Sequence, residues 1–353
     1  MQSDYMHWAK TRPPVRYNLA SSEVPHFRLD SFPIAVEALE LDGASRYRDP
    51  QLRGAIAAKC RVAPEHVVMA DGTSMANMLA MAALIAPGDE VLAEHPVYEP
   101  MLAAAHFLGA RLRRFTREPP GFGIDPKAVA RAITPRTRLI LLTNLHNPSG
   151  ALADEATLRS VGAIAESAGA HVLIDEVYLD AAVPALRSAA LLGDVFVTTS
   201  SLTKVYGLSG LRCGWILAAP ALAEKMWRLN ELFGVAQAHP AERLSCLALE
   251  RLREIGAEAL AALARNRALA NAFFASRDDL KCAPMEHGIT AFPKLLRGNP
   301  ETLDDLLRAR YDTSIVPGRF FGLADHFRIG VGGPTELVET GLERIGRALD
   351  EIA

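Results

Sequence analysis

From Val67 to Ala219 the chain alternates short apolar runs with helical periods, and this alternation constrains the fold more than anything else in the 353 residues. VVMAD reads as a strand that turns into the helical GTSMANMLAMAAL. EVLAEHP, ARLRRFT, RLILLTN, HVLIDEVYLD, VFVTTSS and GWILAA read as further strands. Between them lie YEPMLAAAHFLG, a short helix opened by Asp125-Pro126, and DEATLRSVGAIAESAG, which sets Leu158, Val161, Ile164 and Ala165 on one side. Helices of ten or more residues between strands imply crossover connections. The expected fold class is therefore α/β, with a largely parallel sheet covered by helices on both faces.

The flanks differ from this core. Residues 1–40 carry Pro13, Pro14, Pro25 and Pro33 and read as an extended or irregular arm; Asp49-Pro50 then opens an amphipathic helix with Leu52, Ile56 and Ala57 on one face. After Pro220 come helical stretches over about 221–233 and 240–276. Short strands follow near 289–294, 313–316 and 327–331, then a last helix over 336–352. The expected division is an arm (1–40), a large domain (41–235), and a linking helix with a smaller α/β domain (236–353), the arm completing the small domain.

Several function classes are disfavoured. With 38 basic and 41 acidic residues, net −3, and no basic helix, no nucleic-acid partner is expected. Four scattered cysteines without a CxxC pair suggest neither a disulfide framework nor a metal site, which fits a reducing cytoplasm. The opening MQSDYMHWAKTRPP lacks a signal peptide's apolar core. The longest apolar run, Met78 to Ala86, is shorter than the roughly 18 residues of a membrane span.

In open α/β sheets a ligand sits beyond the carboxyl ends of the strands, so the chemistry should follow each apolar run. The lysine strand ends in Ser200-Ser201, with Lys204 three residues on and Arg212 eight beyond that. A buried, unpaired lysine has a depressed pKa and yields the neutral amine that attacks a carbonyl; a strand-end lysine reaching solvent is the plainer alternative. Arg212 presents a phosphate-binding fork, and Gly72, Thr73 and Ser74 begin a helix whose N–H groups and hydroxyls suit an anion. Tyr98 either stacks on a flat heterocycle or merely covers a helix. Asn147 lies in a turn and can donate to a phenolate-like oxygen. Asp175 ends an apolar strand, where a carboxylate wants a cationic partner such as a protonated ring nitrogen, and Tyr178 follows it. Together these groups match the atoms of pyridoxal 5′-phosphate, whose ring accepts the electrons of a substrate carbanion.

YNLASSEVP, SRYRDPQLRGAIA, DGTSMA, HPVY, NLHNPSG, DEVY, SLTKVYGLSGLRCGW, VPGRFFG and FRIGVGG, in this order, resemble the fold-type I pyridoxal-phosphate enzymes, specifically the class I/II aminotransferases. The resemblance implies that Lys204 forms the Schiff base and then moves the Cα proton. Asp175 would hold the pyridinium, Asn147 and Tyr178 would bond the ring oxygen, Tyr98 would stack, and Thr73, Ser74, Ser201 and Arg212 would bind the phosphate. Arg328 would clamp the substrate α-carboxylate, with Ser22 and Asn147 beside it. Tyr47 would reach the neighbouring subunit's phosphate, implying a homodimer with shared sites. Ala20 and Ser22 stand where the family's arm usually has glycines, and Leu145 where a proline is common.

The expected activity is transfer of an amino group between an α-amino acid and a 2-oxo acid. The alternative is a lyase, decarboxylase or cyclase using the same site. A regulator's cofactor-binding module would want a DNA-binding extension. A barrel aldolase would leave Asp175, Asn147 and Arg212 without coordinated roles.

Overall fold

A seven-stranded sheet carries the site, and its strand order explains how distant stretches meet. The computed structural model describes residues 2–28 and 34–352; Met1, residues 29–33 of the arm (Pro33 among them) and Ala353 lie outside the described residues. After β1 (Tyr17–Asn18) come β2 (Val67–Asp71), β3 (Glu90–His95), β4 (Arg111–Thr116), β5 (Thr137–Thr143), β6 (His171–Asp175), β7 (Phe196–Ser201) and β8 (Cys213–Leu217). They assemble in the order β2-β8-β7-β6-β5-β3-β4. Every pairing is parallel except those of β8, which runs antiparallel to both β2 and β7. The link from β7 to β8 holds no α-helix to carry a crossover, so the chain turns straight back.

The alternation of side chains sorts each central strand between two apolar layers. Leu139, Leu141 and Leu173 join one cluster with α3 (Gly72–Leu84), and Ile140, Leu142, Val172 and Ile174 join another with α6 (Glu155–Ser167). Each such aliphatic side chain taken from water contributes about 1.5–3 kcal/mol. On the first face also lie α2 (Pro50–Cys60), capped by Asp49 with Leu52, Ile56 and Ala57 buried as expected, α4 (Glu99–Phe107), α7 (Pro220–Asn230) and α8 (His239–Glu250). The short α5 (Pro126–Ala132) is capped by Asp125 and joins α6.

Three readings need correction. The arm contains a helix, α1 (Asp4–Thr11): Ser3 accepts from Met6 N, Asp4 sits in the first turn and Lys10 in the last, so the ends are stabilised despite Pro13-Pro14. The stretch 240–276 is two helices, α8 and α9 (Leu252–Ala275), broken at Arg251, whose backbone leaves the helical region. The expected late strands are each shorter or divided, into β10 (Thr290–Ala291), β11 (Lys294–Leu295), β12 (Thr313–Ser314), β13 (Val316–Pro317) and β14 (Phe327–Gly330), and an unexpected β9 (Leu280–Lys281) precedes them. Pro293, which has no N–H for a ladder, separates β10 from β11.

A further cluster joins Leu19 and Val24 to α9, α10 (Pro300–Tyr311) and α11 (Thr335–Ile352), while β1 pairs in parallel with β12 through Tyr17 and Thr313. Helix α9 passes from the sheet's cluster at Ile255 to this one at Leu263 and Ala270.

Candidate active site

The carboxyl ends of β2, β5, β6 and β7 lie on one edge, beside the start of β8. Register places Asp71 opposite Cys213, Thr143 opposite Asp175, and Asp175 opposite Thr199. The residues that follow these ends line one cavity of about 730 Å³: Thr73, Ser74, Asn147, Asp175, Tyr178, Ser201, Lys204 and Arg212. Tyr98 and Ser22 line it as well.

Asp175 is buried at the cavity floor, where Asn77 Nδ2 donates to it at 2.8 Å and Val177 N at 3.0 Å. Burial pushes its carboxyl up, and these bonds together with the charge of Lys204 work against that rise. No arginine pairs with it among the described residues. Thr199 in turn donates to Asn77 Oδ1. Asn77 was missed by the sequence reading, although an amide in the apolar run MANMLAMAAL was its signal.

Lys204 differs from expectation in charge. Its Nζ lies 3.3 Å from Glu23 Oε2. Burial opposes the ammonium, but Tyr178, Glu23 and Tyr5 outweigh it and raise the pKa instead of depressing it. The lysine is half-buried and paired, and Glu23, from the arm, supplies the partner that one stretch of sequence does not show.

At the opposite wall Arg212 donates from Nη2 to Asp71 O at 2.9 Å, lying against Gly72. Gly72 has φ +76°, and a Cβ there would run into the Arg212 guanidinium, so glycine is required. Its N–H is spent on Arg212 O at 2.8 Å; Gly72 therefore gives room rather than a donor, which corrects its expected direct role. Thr73 Oγ1 is buried with no hydrogen-bond partner, and Ser201 Oγ accepts from Thr203 N. A hydroxyl of this kind beside a helix start and an arginine suits a phosphate.

Arg328 lies fully buried behind the cavity. Its Nη1 donates to Asn147 Oδ1 at 3.0 Å, and Nη2 donates to Tyr5 Oη at 2.9 Å and Ala20 O at 3.0 Å. Because the Asn147 oxygen is taken, its amide NH₂ is left to donate, as a ring oxygen requires. Asn147 N donates to Thr143 Oγ1, whose hydroxyl donates to the buried Glu94. Glu94 pairs with Arg117 at 2.7 Å, both fully buried. Tyr178 is raised by burial, against the lowering influence of Lys204 and Arg328.

Tyr47 stands apart from this cavity. It is 44% exposed and donates to Glu231 at 2.6 Å. Among the described residues no cluster of three His, Cys, Asp or Glu could hold a metal, and no helix is long and apolar enough to cross a membrane.

The donor set fits pyridoxal 5′-phosphate: an amine for the aldehyde, a buried carboxylate for the ring nitrogen, an unpartnered Thr73 hydroxyl with Arg212 for the phosphate, and a free amide donor for the ring oxygen. Comparison with known proteins agrees. The chain is 33% identical over 307 residues to capreomycidine synthase of Streptomyces vinaceus, covering 85% of this chain and 79% of that one. It is 28% identical over 341 residues to an arginine–pyruvate transaminase of Pseudomonas aeruginosa, covering 90% and 86%. In fold it is similar to a pyridoxal-phosphate-dependent aminotransferase from Streptococcus suis (TM-score 0.89, 24% identity, 96% and 94% covered). It is also similar to the pyridoxal-phosphate-dependent cyclase OrfR (TM-score 0.87, 24% identity, 99% and 97% covered). The family described as aminotransferase class I and II matches residues 17–345, nearly the whole α/β frame and every residue of the cavity floor, and the chain belongs to that family, with pyridoxal 5′-phosphate as its cofactor.

Proposed function

We propose that the protein is an aminotransferase that moves the amino group of an α-amino acid to a 2-oxo acid. The convergence of Lys204, Asp175, Asn147 and the Thr73–Arg212 wall on one cavity, with Arg328 one hydrogen bond behind it, is what supports this reading. When bound, pyridoxal phosphate supplies an aldehyde that carries the amino group and a ring that accepts the electron pair left at the substrate's α-carbon. Lys204 Nζ, in its neutral form, would take up the α-carbon proton and return it as the acid. Asp175 would keep the ring nitrogen protonated, Tyr98 would cover the ring, and Asn147 and Tyr178 would donate to the ring oxygen. Thr73, Ser74, Ser201 and Arg212 hold the phosphate. Arg328 orients the substrate through its carboxylate, with Ser22 alongside. The overall exchange needs no outside oxidant, because one amino acid and one 2-oxo acid are consumed and one of each is released.

A second reading, a lyase, decarboxylase or cyclase on an amino acid, is favoured by the likeness to capreomycidine synthase. Stopped-flow spectra with an amino acid alone separate the two. Aminotransfer converts the cofactor to its amine form with one equivalent of 2-oxo acid released. Product formation with the aldehyde form retained would refute it. Arginine belongs first in the panel of donors, given the Pseudomonas relative and the Glu23 carboxylate on the cavity wall.

The same reading makes the protein a homodimer. Tyr47 and the exposed Val36, Leu41, Leu232, Phe233 and Val235 would lie against a second copy, bringing Tyr47 to its neighbour's phosphate. Light scattering that gives a monomer with full activity would exclude it. The four cysteines are free thiols, which supports a cytoplasmic location. For the chain's division, the arm (1–40), large domain (41–235) and C-terminal part (236–353) remain our proposal. The packing of α8 on α2 ties the start of that C-terminal part to the large domain.

A further inference from the structure

Arg328 should receive a carboxylate, yet its guanidinium does not line the cavity; Tyr5, from α1, stands in front of it. A guanidinium has five N–H bonds, and a carboxylate bound through two of them needs one from Nη2, whether the other comes from Nη1 or from Nε. Both Nη2 hydrogens are already used, by Tyr5 Oη and by Ala20 O, while Nε is buried with no acceptor. One of the two acceptors must leave.

Ala20 is a poor candidate to move. Its carbonyl sits next to Leu19, which is fully buried and whose own carbonyl accepts from Gly330 N at 2.7 Å. A Cβ on Gly330 would clash with Ser21 O, so the arm is tightly laid on β14 here. Tyr5 belongs to an eight-residue helix that precedes the segment matched by the family, and that helix is held by ring contacts and its Ser3 side chain. Tyr5 meets Tyr98 edge-on with ring centroids 5.7 Å apart, Phe320 at 5.6 Å and Trp8 at 6.3 Å.

We propose that the Tyr5 phenol is a stand-in for the substrate carboxylate: it occupies Arg328 Nη2 while the clamp is empty and is exchanged for the incoming carboxylate, α1 shifting with it. The exchange is favourable because a carboxylate brings a full negative charge to the guanidinium, an attraction the neutral phenol lacks. This rests on the assignment of Arg328 as the carboxylate site, and it adds that every amino acid must first displace this helix's own side chain.

The test uses holoenzyme, Tyr5→Phe and propionate as the probe. Tyr5→Phe keeps the ring packing and deletes the competing oxygen, so propionate should bind about ten-fold tighter. Methylamine, which has no carboxylate, should show no comparable gain from the change. In wild type, propionate should change the Trp8 emission, with Trp8→Phe as control. Equal or weaker propionate binding by Tyr5→Phe, or Trp8 emission blind to propionate, would overturn the proposal. Arg328 and Tyr5 meet without the cofactor, so the titration remains decisive in protein that takes none up. Failure to bind pyridoxal phosphate would instead sink the activity assigned above.

Discussion

Replacing Glu94 by Leu should cost more than most single changes, and the structure says how much. Glu94 and Arg117 are both fully buried at 2.7 Å, and Glu94 Oε1 also accepts Thr143 N at 2.8 Å and the Thr143 hydroxyl at 2.7 Å. Burial pushes the Glu94 carboxyl up and the Arg117 guanidinium down, each against the pull of its partner. Removing one member of such a pair strands the other charge, at about 3–5 kcal/mol. A chain of this length has an unfolding entropy near 0.7 kcal/mol/K, taking about 2.1 cal/mol/K per residue, so the melting temperature should fall by about 4–7 °C. Thr143 also loses the acceptor that orients it toward Asn147, so KM for the amino donor should rise more than kcat falls. The double variant Glu94→Leu/Arg117→Met strands no charge and should recover most of the lost stability. Calorimetric melts of wild type, both single variants and the double variant measure the coupling. A Glu94→Leu protein melting within about a degree of wild type, or a double variant no better than the single, would refute the reasoning.

Two further outcomes are expected. Glu23→Gln removes one of the charges that raise Lys204, so its ammonium should titrate at lower pH and cofactor-free protein should take up pyridoxal phosphate faster near pH 8; an unchanged rate would show that Glu23 has no hold on the amine. His146 is buried between Pro96 O and Ser149 Oγ, and burial together with Arg117 holds its pKa well below 6.5. The unfolded chain therefore binds a proton that the native protein refuses. This contribution to stability is present above 6.5 and shrinks as pH falls, by about 1.4 kcal/mol per pH unit. His146→Gln should lack that slope relative to wild type. Glu176 and Glu242, each pushed to about 7, act in the opposite sense but are common to both proteins, so parallel profiles would contradict the assignment.

The sheet was legible because its central strands are apolar on both faces and amphipathic helices such as α6 lie between them, signals that survive without tertiary context. Lys204 and Asp175 were legible for a related reason: each is a charge at or just past the end of a buried strand, where only function tolerates one, and Arg212 stands directly before the next strand, β8. Asn77 was harder, since one amide in an apolar helix reads as noise until Asp175 and Thr199 are seen on either side of it. Glu23 and Tyr5 could not be read at all. Each acts on a residue far along the chain, 181 positions away for Lys204 and 323 for Arg328, and no local pattern encodes such a meeting. Gly72 was misjudged for the converse reason, because its N–H looks available until Arg212 O is found bonded to it.

Among the described residues strand β2 has a single neighbour in the sheet, and that neighbour is β8; Asp71 and Arg212 meet from 141 positions apart. A ribosome must therefore release most of the large sheet before the two halves of the anion cup can join, and until then the hydrogen-bonding edge of Val67–Asp71 stays open. Chains truncated before Cys213 should carry that sticky, apolar edge permanently and aggregate, whereas chains that reach Leu217 can seal it.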